Sequence, residues 1–102
     1  EFRSMSYFML SVSLPDDWGM DFIAKVPTQK NQLDDLMREG SINSFHLSTD
    51  RTKMWILMEA DNEVEVMKLL ADFVLLDDMK VEIDQIAFSQ NVNLMMHRYS
   101  LN

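Results

Sequence analysis

Residues 41–60 read SINSFHLSTDRTKMWILMEA, and this stretch decides the fold that the sequence predicts. Its two ends, residues 41–47 and 53–60, are predicted to be strands. Between them lies the polar run Ser48-Thr49-Asp50-Arg51-Thr52, which has the length and the side chains of a hairpin connection. The stretch therefore predicts a β-hairpin.

A helix is predicted before the hairpin, over residues 21–39, because apolar side chains recur there at helical spacing. Gly40, directly after it, is a usual stop signal. Pro27 interrupts the pattern, so we expect either a kink or break near residues 24–26 or a fresh helix start with Pro27 in its first turn. The apolar stripe consists of Ile23, Val26, Leu33, Leu36 and Met37.

Two further strands and a second helix complete the pattern. Residues 7–14 alternate between apolar and more polar faces, which marks a half-buried strand, and Pro15 ends it. After the hairpin, Asn62 and Glu65 form a capping-box pattern that opens a helix. Residues 79–88 are predicted to be the last strand. The two faces of the first strand hold Phe8, Leu10, Val12 and Leu14 on one side and Tyr7, Met9, Ser11 and Ser13 on the other.

The order of these elements predicts an α+β, ferredoxin-like βαββαβ fold. In it a four-stranded antiparallel sheet carries both helices on one face. The other face is left bare, although Phe45, Trp55 and the strand methionines supply apolar side chains for both. We therefore expect a homodimer or a larger homo-oligomer in which two sheets pack face to face.

The composition limits the class of protein. A chain of 102 residues is one domain by the length prior. The formal net charge of −8, with nine basic residues scattered among seventeen acidic ones, argues against nucleic acid and anionic membranes as partners. The absence of cysteine excludes disulfides and thiolate chemistry. Since no apolar run is long enough to span a bilayer and no signal peptide pattern is found, a cytoplasmic location is expected.

The domain is expected to cover residues 5–88. Glu1-Phe2-Arg3-Ser4, before Met5, is interpreted as a vector-derived scar. Residues 89–102 are interpreted as a C-terminal tail that either packs on a partner subunit or is disordered.

Four segments carry a resemblance to a known family. They are Leu14-Pro15-Asp16-Asp17 after the first strand, Arg38-Glu39-Gly40 at the end of the first helix, and residues 69–75 and 79–83. In this order and at this spacing they resemble the muconolactone isomerases, over roughly residues 7–88. The resemblance implies a dimeric α+β barrel. It also implies an intramolecular proton shift on a small lactone, without metal or organic cofactor, in the bacterial breakdown of aromatic compounds.

Candidate residues for such a proton shift are few. A histidine titrates near neutral pH, which makes His46 on the second strand a candidate to move the proton. Glu39 would serve as a base if it were partly buried. Lys25 or Lys30 would then hold a carboxylate of the ligand. Each of these residues also has a plain alternative as a solvated side chain.

The two tryptophans are candidates for the wall of a pocket that takes a flat apolar ligand. Trp18, in the turn before the first helix, is the better placed, since Trp55 in a strand is more typical of a core or an interface. No pair among the ten methionines has metal-ligand spacing, so no metal site is predicted. Two functions remain open: a cofactor-free lactone isomerase, or a non-catalytic small-molecule-binding or oligomeric module of the same fold.

Overall fold

The computed structural model describes residues 5–87. The predicted scar, the predicted tail and Phe88 lie outside the described residues. The elements in chain order are β1 (Ser6–Ser13), α1 (Met20–Arg38), β2 (Ile42–Leu47), β3 (Lys53–Ala60), α2 (Glu63–Leu70), a one-turn 3₁₀ helix (Leu76–Asp78) and β4 (Lys80–Ile86). The predicted βαββαβ order is confirmed.

The four strands form one antiparallel sheet in the order β2-β3-β1-β4. β1 and β3 are central, so most of their residues have a register partner on both sides. Leu10 lies opposite Ile56 of β3 and opposite Ile83 of β4. This register aligns apolar side chains across three strands, which is the ferredoxin-like arrangement that the sequence predicts.

One face of the sheet is covered by both helices, and we call it the covered face. Leu33 of α1 and Val66 of α2 belong to the same buried cluster as Leu10 of β1, so the two helices share this face. The buried apolar residues are Phe8, Leu10, Val12, Phe22, Leu33, Ile42, Met54, Ile56, Met58, Ala60, Val66, Leu70, Phe73 and Leu75. The predicted inward face of β1 is confirmed for Phe8, Leu10 and Val12.

The opposite face, which we call the open face, carries the alternate residues of the same strands. Met9 lies opposite Leu57, and Tyr7 lies opposite Ile86. These four side chains are half-buried rather than buried, as is Trp55. The open face therefore presents an apolar centre that neither helix covers.

Helix α1 runs without interruption through Pro27, so the expected break or fresh start at this proline is wrong. A proline in a helix interior leaves the carbonyl four residues earlier without its N–H partner. Here that carbonyl belongs to Ile23, and both residues are exposed. Water can take the place of the missing donor on this side of the helix, and the helix continues.

The buried stripe of α1 is rotated relative to the predicted one. Ile23 and Met37 are exposed, whereas Phe22 and Gln29 are buried. The observed stripe is Phe22, Val26, Gln29, Leu33 and Leu36, with alternating steps of four and three residues. Sequence periodicity missed it because a polar residue, Gln29, occupies its centre.

The predicted helix boundaries are confirmed in their local chemistry. Gly40 has a φ of 87°, and its N–H and that of Ser41 donate to the carbonyls of Met37 and Leu36, which closes α1. At the start of α2 the Asn62 side chain accepts a hydrogen bond from the Glu65 N–H at 3.0 Å. Among the described residues, no helix combines the length and apolar character needed to cross a membrane.

Candidate functional site

A pocket of about 200 Å³ opens between α1 and the covered face of the sheet, and we call it the α1 pocket. Its walls come from α1, from β2 and β3, and from the segments that follow β1 and α2. The lining residues are Leu14, Trp18, Phe22, Val26, Gln29, Lys30, Leu33, Phe45, Leu47, Met54, Leu75 and Met79. Almost all of them are apolar, so the pocket favours an apolar occupant.

The connection between β1 and α1 supplies one wall. Pro15 follows β1, and the chain then turns so that Trp18 packs on the first turn of α1. The rings of Trp18 and Phe22 lie 4.7 Å apart between centroids, at an interplanar angle of 44°. Such tilted pairs are stabilising beyond the area they bury. The contact therefore holds the indole at the pocket wall.

Two glutamines of α1 fix a second part of the wall. The Oε1 atom of Gln29 accepts a hydrogen bond from the Leu75 N–H at 3.1 Å. One turn further along, Gln32 accepts from the Val74 N–H at 3.1 Å and donates to the Asp72 carbonyl at 2.7 Å. These bonds satisfy backbone groups that no strand or helix pairs, and they hold Leu75 against the pocket.

Two residues that line the α1 pocket each have a buried donor without an acceptor. The Nε1 atom of Trp18 and the Nε2 atom of Gln29 are buried, and neither has a hydrogen-bond partner among the described residues. Gln29 as a whole is only 4% exposed. Its amide cannot be turned around to relieve this, because the Leu75 N–H must meet the amide oxygen.

Among residues 5–87, Lys30 is the only titratable residue in the lining of the α1 pocket. Its ammonium group lies 2.9 Å and 3.1 Å from the two carboxylate oxygens of Asp34, one helical turn away. This pair is well exposed to solvent, so its contribution to stability is small. The charge of Lys30 is thus already paired at the edge of the pocket.

The predicted proton-transfer residues lie elsewhere. His46 is exposed on β2, and its register partner on β3 is Trp55 of the open face. Glu39 is the exposed C-cap of α1, and its N–H donates to the Asp35 carbonyl. In the described part of the chain neither side chain forms a hydrogen bond or an ion pair, and neither lines the α1 pocket.

The structure brings together only two of the predicted ligand-binding residues, Trp18 and Lys30. Lys25 is exposed on α1 and lies outside the pocket lining. Trp55 lies on the open face, beside a cavity of about 370 Å³ that it shares with Ser11, Lys53, Lys80 and Glu82. The two tryptophans are thus on opposite sides of the sheet and do not wall one pocket.

Sequence reasoning missed Phe22 and Gln29. The signal for them was the spacing of Phe22, Val26, Gln29 and Leu33, which fits a helical stripe once a glutamine is allowed in it. Among residues 5–87, no cluster of histidine and carboxylate side chains is arranged to hold a metal ion.

Comparison with known protein families found no family that matches this chain. A comparison with curated proteins likewise found no match. The likeness to the muconolactone isomerases therefore stays a prediction that depends on the four sequence segments.

Proposed function

We propose that this protein binds a small, mostly apolar molecule in the α1 pocket. The observation that carries the proposal is the pocket itself: about 200 Å³ enclosed by apolar side chains from several elements, with few polar groups among them. Concave apolar surfaces with a few placed polar groups are typical of ligand sites. The volume lies below the roughly 300–1,000 Å³ that drug-sized ligands occupy, so a one- or two-ring molecule is the appropriate class.

Turnover of such a ligand is the enzymatic version of this proposal. The resemblance to the muconolactone isomerases predicts a proton shift on a lactone, and a lactone ring belongs to the proposed size class. Of the described residues that line the α1 pocket, Lys30 is the only one whose side chain could exchange a proton. A reaction that used His46 or Glu39 would need a second site. Binding without turnover is supported more directly, since apolar walls suffice for it.

The two tryptophans provide a direct test of binding, because the chain contains no others. In Trp55→Phe, the fluorescence reports on Trp18 in the α1 pocket; in Trp18→Phe, it reports on Trp55 on the open face. We expect titration with the neutral ketone 1-indanone to change the emission saturably in Trp55→Phe and to leave it constant in Trp18→Phe. The reverse pattern would place the ligand on the open face.

A variant that fills the pocket supplies the control. Val26→Phe adds volume at a half-buried lining position of α1, whereas Ile23→Phe adds the same ring on the exposed side of the same helix. We expect Val26→Phe to weaken binding by about tenfold or more, since overpacking competes with the ligand. Ile23→Phe should bind as the unaltered protein does. Equal binding by both variants would exclude the α1 pocket.

Conversion of muconolactone, followed by proton NMR against a sample without protein, separates the enzymatic version from the binding version. Conversion that Val26→Phe reduces and Ile23→Phe does not would establish turnover in the α1 pocket. Binding without conversion would establish the non-catalytic version.

We also propose that the open face packs against a second copy of this chain. The support is the apolar centre formed by Tyr7, Met9, Trp55, Leu57 and Ile86, which neither helix covers. Burial of such a surface against an identical one is a common route to a symmetric dimer.

A further inference from the structure

We propose that the ligand of the α1 pocket carries an uncharged oxygen acceptor, of the kind found in a ketone or an ester. This oxygen accepts hydrogen bonds from Trp18 Nε1 and Gln29 Nε2. The inference rests on the proposed function, namely that the α1 pocket binds a small molecule. It adds the chemical class of the ligand and the two side chains that recognise it.

Gln29 provides the first half of the argument. It is a buried polar residue at the centre of an apolar helix stripe, with 4% of its surface exposed. One end of its amide is used, since Oε1 accepts from the Leu75 N–H. The other end, Nε2, points to no acceptor in residues 5–87. A buried donor without a partner is destabilising, and native proteins seldom leave one without a role.

Trp18 provides the second half. An indole N–H can only donate, and Nε1 of Trp18 is buried without a partner in the part of the chain that the structure describes. The contact with Phe22 restricts how the ring can turn. Two residues that line one pocket, from different segments, thus each carry a buried donor without a partner. A carbonyl oxygen has two lone pairs and can accept from both at once.

The charges around the pocket select an uncharged group. The only cation of the lining in the described part of the chain is Lys30, which Asp34 already pairs, and the chain carries a net charge of −8. A carboxylate moved into apolar surroundings without a free cation loses its hydration without compensation. A neutral carbonyl loses far less, and it regains its hydrogen bonds from the two donors.

Both nitrogen atoms are screened from solvent. A carbonyl therefore reaches them only when the pocket wall gives way slightly around it.

Three compounds that share one bicyclic ring system test the proposal by calorimetry on the full chain: indane, 1-indanone and indane-1-carboxylate. We expect 1-indanone to bind about tenfold more tightly than indane, since each net hydrogen bond contributes several-fold in affinity. Indane-1-carboxylate should bind more weakly than 1-indanone by about tenfold or more. Equal affinities of indane and 1-indanone would overturn the proposal, and so would tightest binding of the carboxylate.

Four variants locate the effect, and the ketone-to-hydrocarbon affinity ratio of each variant cancels general changes in the pocket. Trp18→Phe and Gln29→Met each remove one donor and should lower the ratio by roughly threefold. Trp55→Phe and Gln85→Met are the matched controls, because Trp55 lies on the open face and Gln85 is exposed on β4, outside the pocket lining. An unchanged ratio in both donor variants would overturn the assignment.

The carbonyl stretch of ¹³C-labelled 1-indanone gives a readout that does not depend on affinity. Hydrogen bonding should move the band of the bound ketone to lower wavenumber, and the shift should shrink in Trp18→Phe and in Gln29→Met. A bound ketone whose band resembles that in an apolar solvent would overturn the proposal while leaving ligand binding itself in place. If none of the three compounds bound, the proposed function would fail and this inference with it.

Discussion

The two faces of the sheet differ in how deeply their side chains are buried, although they are built from alternate residues of the same strands. On β3, Ile56 is fully buried under the helices, whereas Leu57, the next residue, is half-buried on the open face. Strand alternation divides the side chains into two sets, and the helices exclude water from the set on the covered face. A pocket with fixed polar atoms therefore forms on the covered face, where side-chain positions are set by close packing.

The same difference separates the two chemistries that the sequence suggests. His46, the residue best suited to proton transfer at neutral pH, lies on the open face. Trp18 and Gln29, which are suited to recognising a carbonyl, lie on the covered side. Binding on the covered face thus needs nothing from the open face, which is left for assembly.

The largest expected effect is a stability difference between two neighbours on β3. Ile56→Ala leaves a cavity in the core and should lower the free energy of unfolding by roughly 3 kcal/mol. Leu57→Ala, on the open face of a single chain, should lower it by about 1 kcal/mol or less. Urea denaturation at several protein concentrations measures both. A loss of unfolding free energy in Leu57→Ala that depended on protein concentration and approached that of Ile56→Ala would show that a second copy also excludes water from the open face.

The next effect concerns the assembly that the open face is proposed to form. Trp55→Glu places a charge in the apolar centre of that face, where it would be buried without a partner in a dimer. We expect the variant to elute as a monomer from a sizing column, at a concentration where the unaltered protein elutes as a dimer. Val64→Glu, at an exposed apolar position of α2, is the control and should not change the elution. An unchanged dimer peak for Trp55→Glu would exclude this face.

Most of the fold was predictable from sequence because its signals are local and agree with one another. The alternation of β1, the bounds of β3, the glycine after α1 and the cap of α2 each follow from neighbouring residues. These signals predict the order of the elements, and the order limits the topology. The covered face of the sheet follows from the same pattern.

The site was less predictable, because it depends on two departures from regular patterns. A bulge between Ile42 and Ser44 changes the alternation of β2, so that Ile42 and Phe45 share the covered face and His46 turns to the open one. In α1, a buried glutamine interrupts the apolar stripe at Gln29. Neither departure is visible in hydrophobic periodicity, since each is decided by contacts with distant segments.

A third prediction tests whether α1 covers the sheet as one helix. Pro27 lies inside the helix, and a proline there is roughly 3 kcal/mol less favourable than alanine, partly offset by up to about 1 kcal/mol of unfolded-state entropy. Pro27→Ala should therefore raise the free energy of unfolding by about 2 kcal/mol in urea denaturation. Thr28→Ala should change it by less than about 1 kcal/mol. A helix that began at Pro27 would instead be destabilised or unaffected by the change.

The smallest expected effect concerns Asp50, in the turn between β2 and β3. One carboxylate oxygen of Asp50 accepts hydrogen bonds from the Thr52 hydroxyl at 2.7 Å, the Thr52 N–H at 3.0 Å and the Ser48 hydroxyl at 2.8 Å. These bonds, those of Thr52 foremost, hold the pKa of Asp50 below its ordinary value of 3.8. The turn sets the register in which Leu47 and Met54 reach the α1 pocket.

Because the pKa of Asp50 is lower in the folded than in the unfolded chain, the folded state binds fewer protons below pH 3.8. The contribution of Asp50 to stability is therefore fully present above that pH and is lost as the pH falls through the folded-state pKa. We expect Asp50→Asn to be less stable than the unaltered protein at pH 5, with a difference that shrinks toward pH 2 in urea denaturation. Thr49→Ala, at an exposed position of the same turn, removes no ionisable group, and its difference from the unaltered protein should stay constant with pH. A difference for Asp50→Asn that stayed constant with pH would mean that the turn depends on the shape of the side chain and not on its charge.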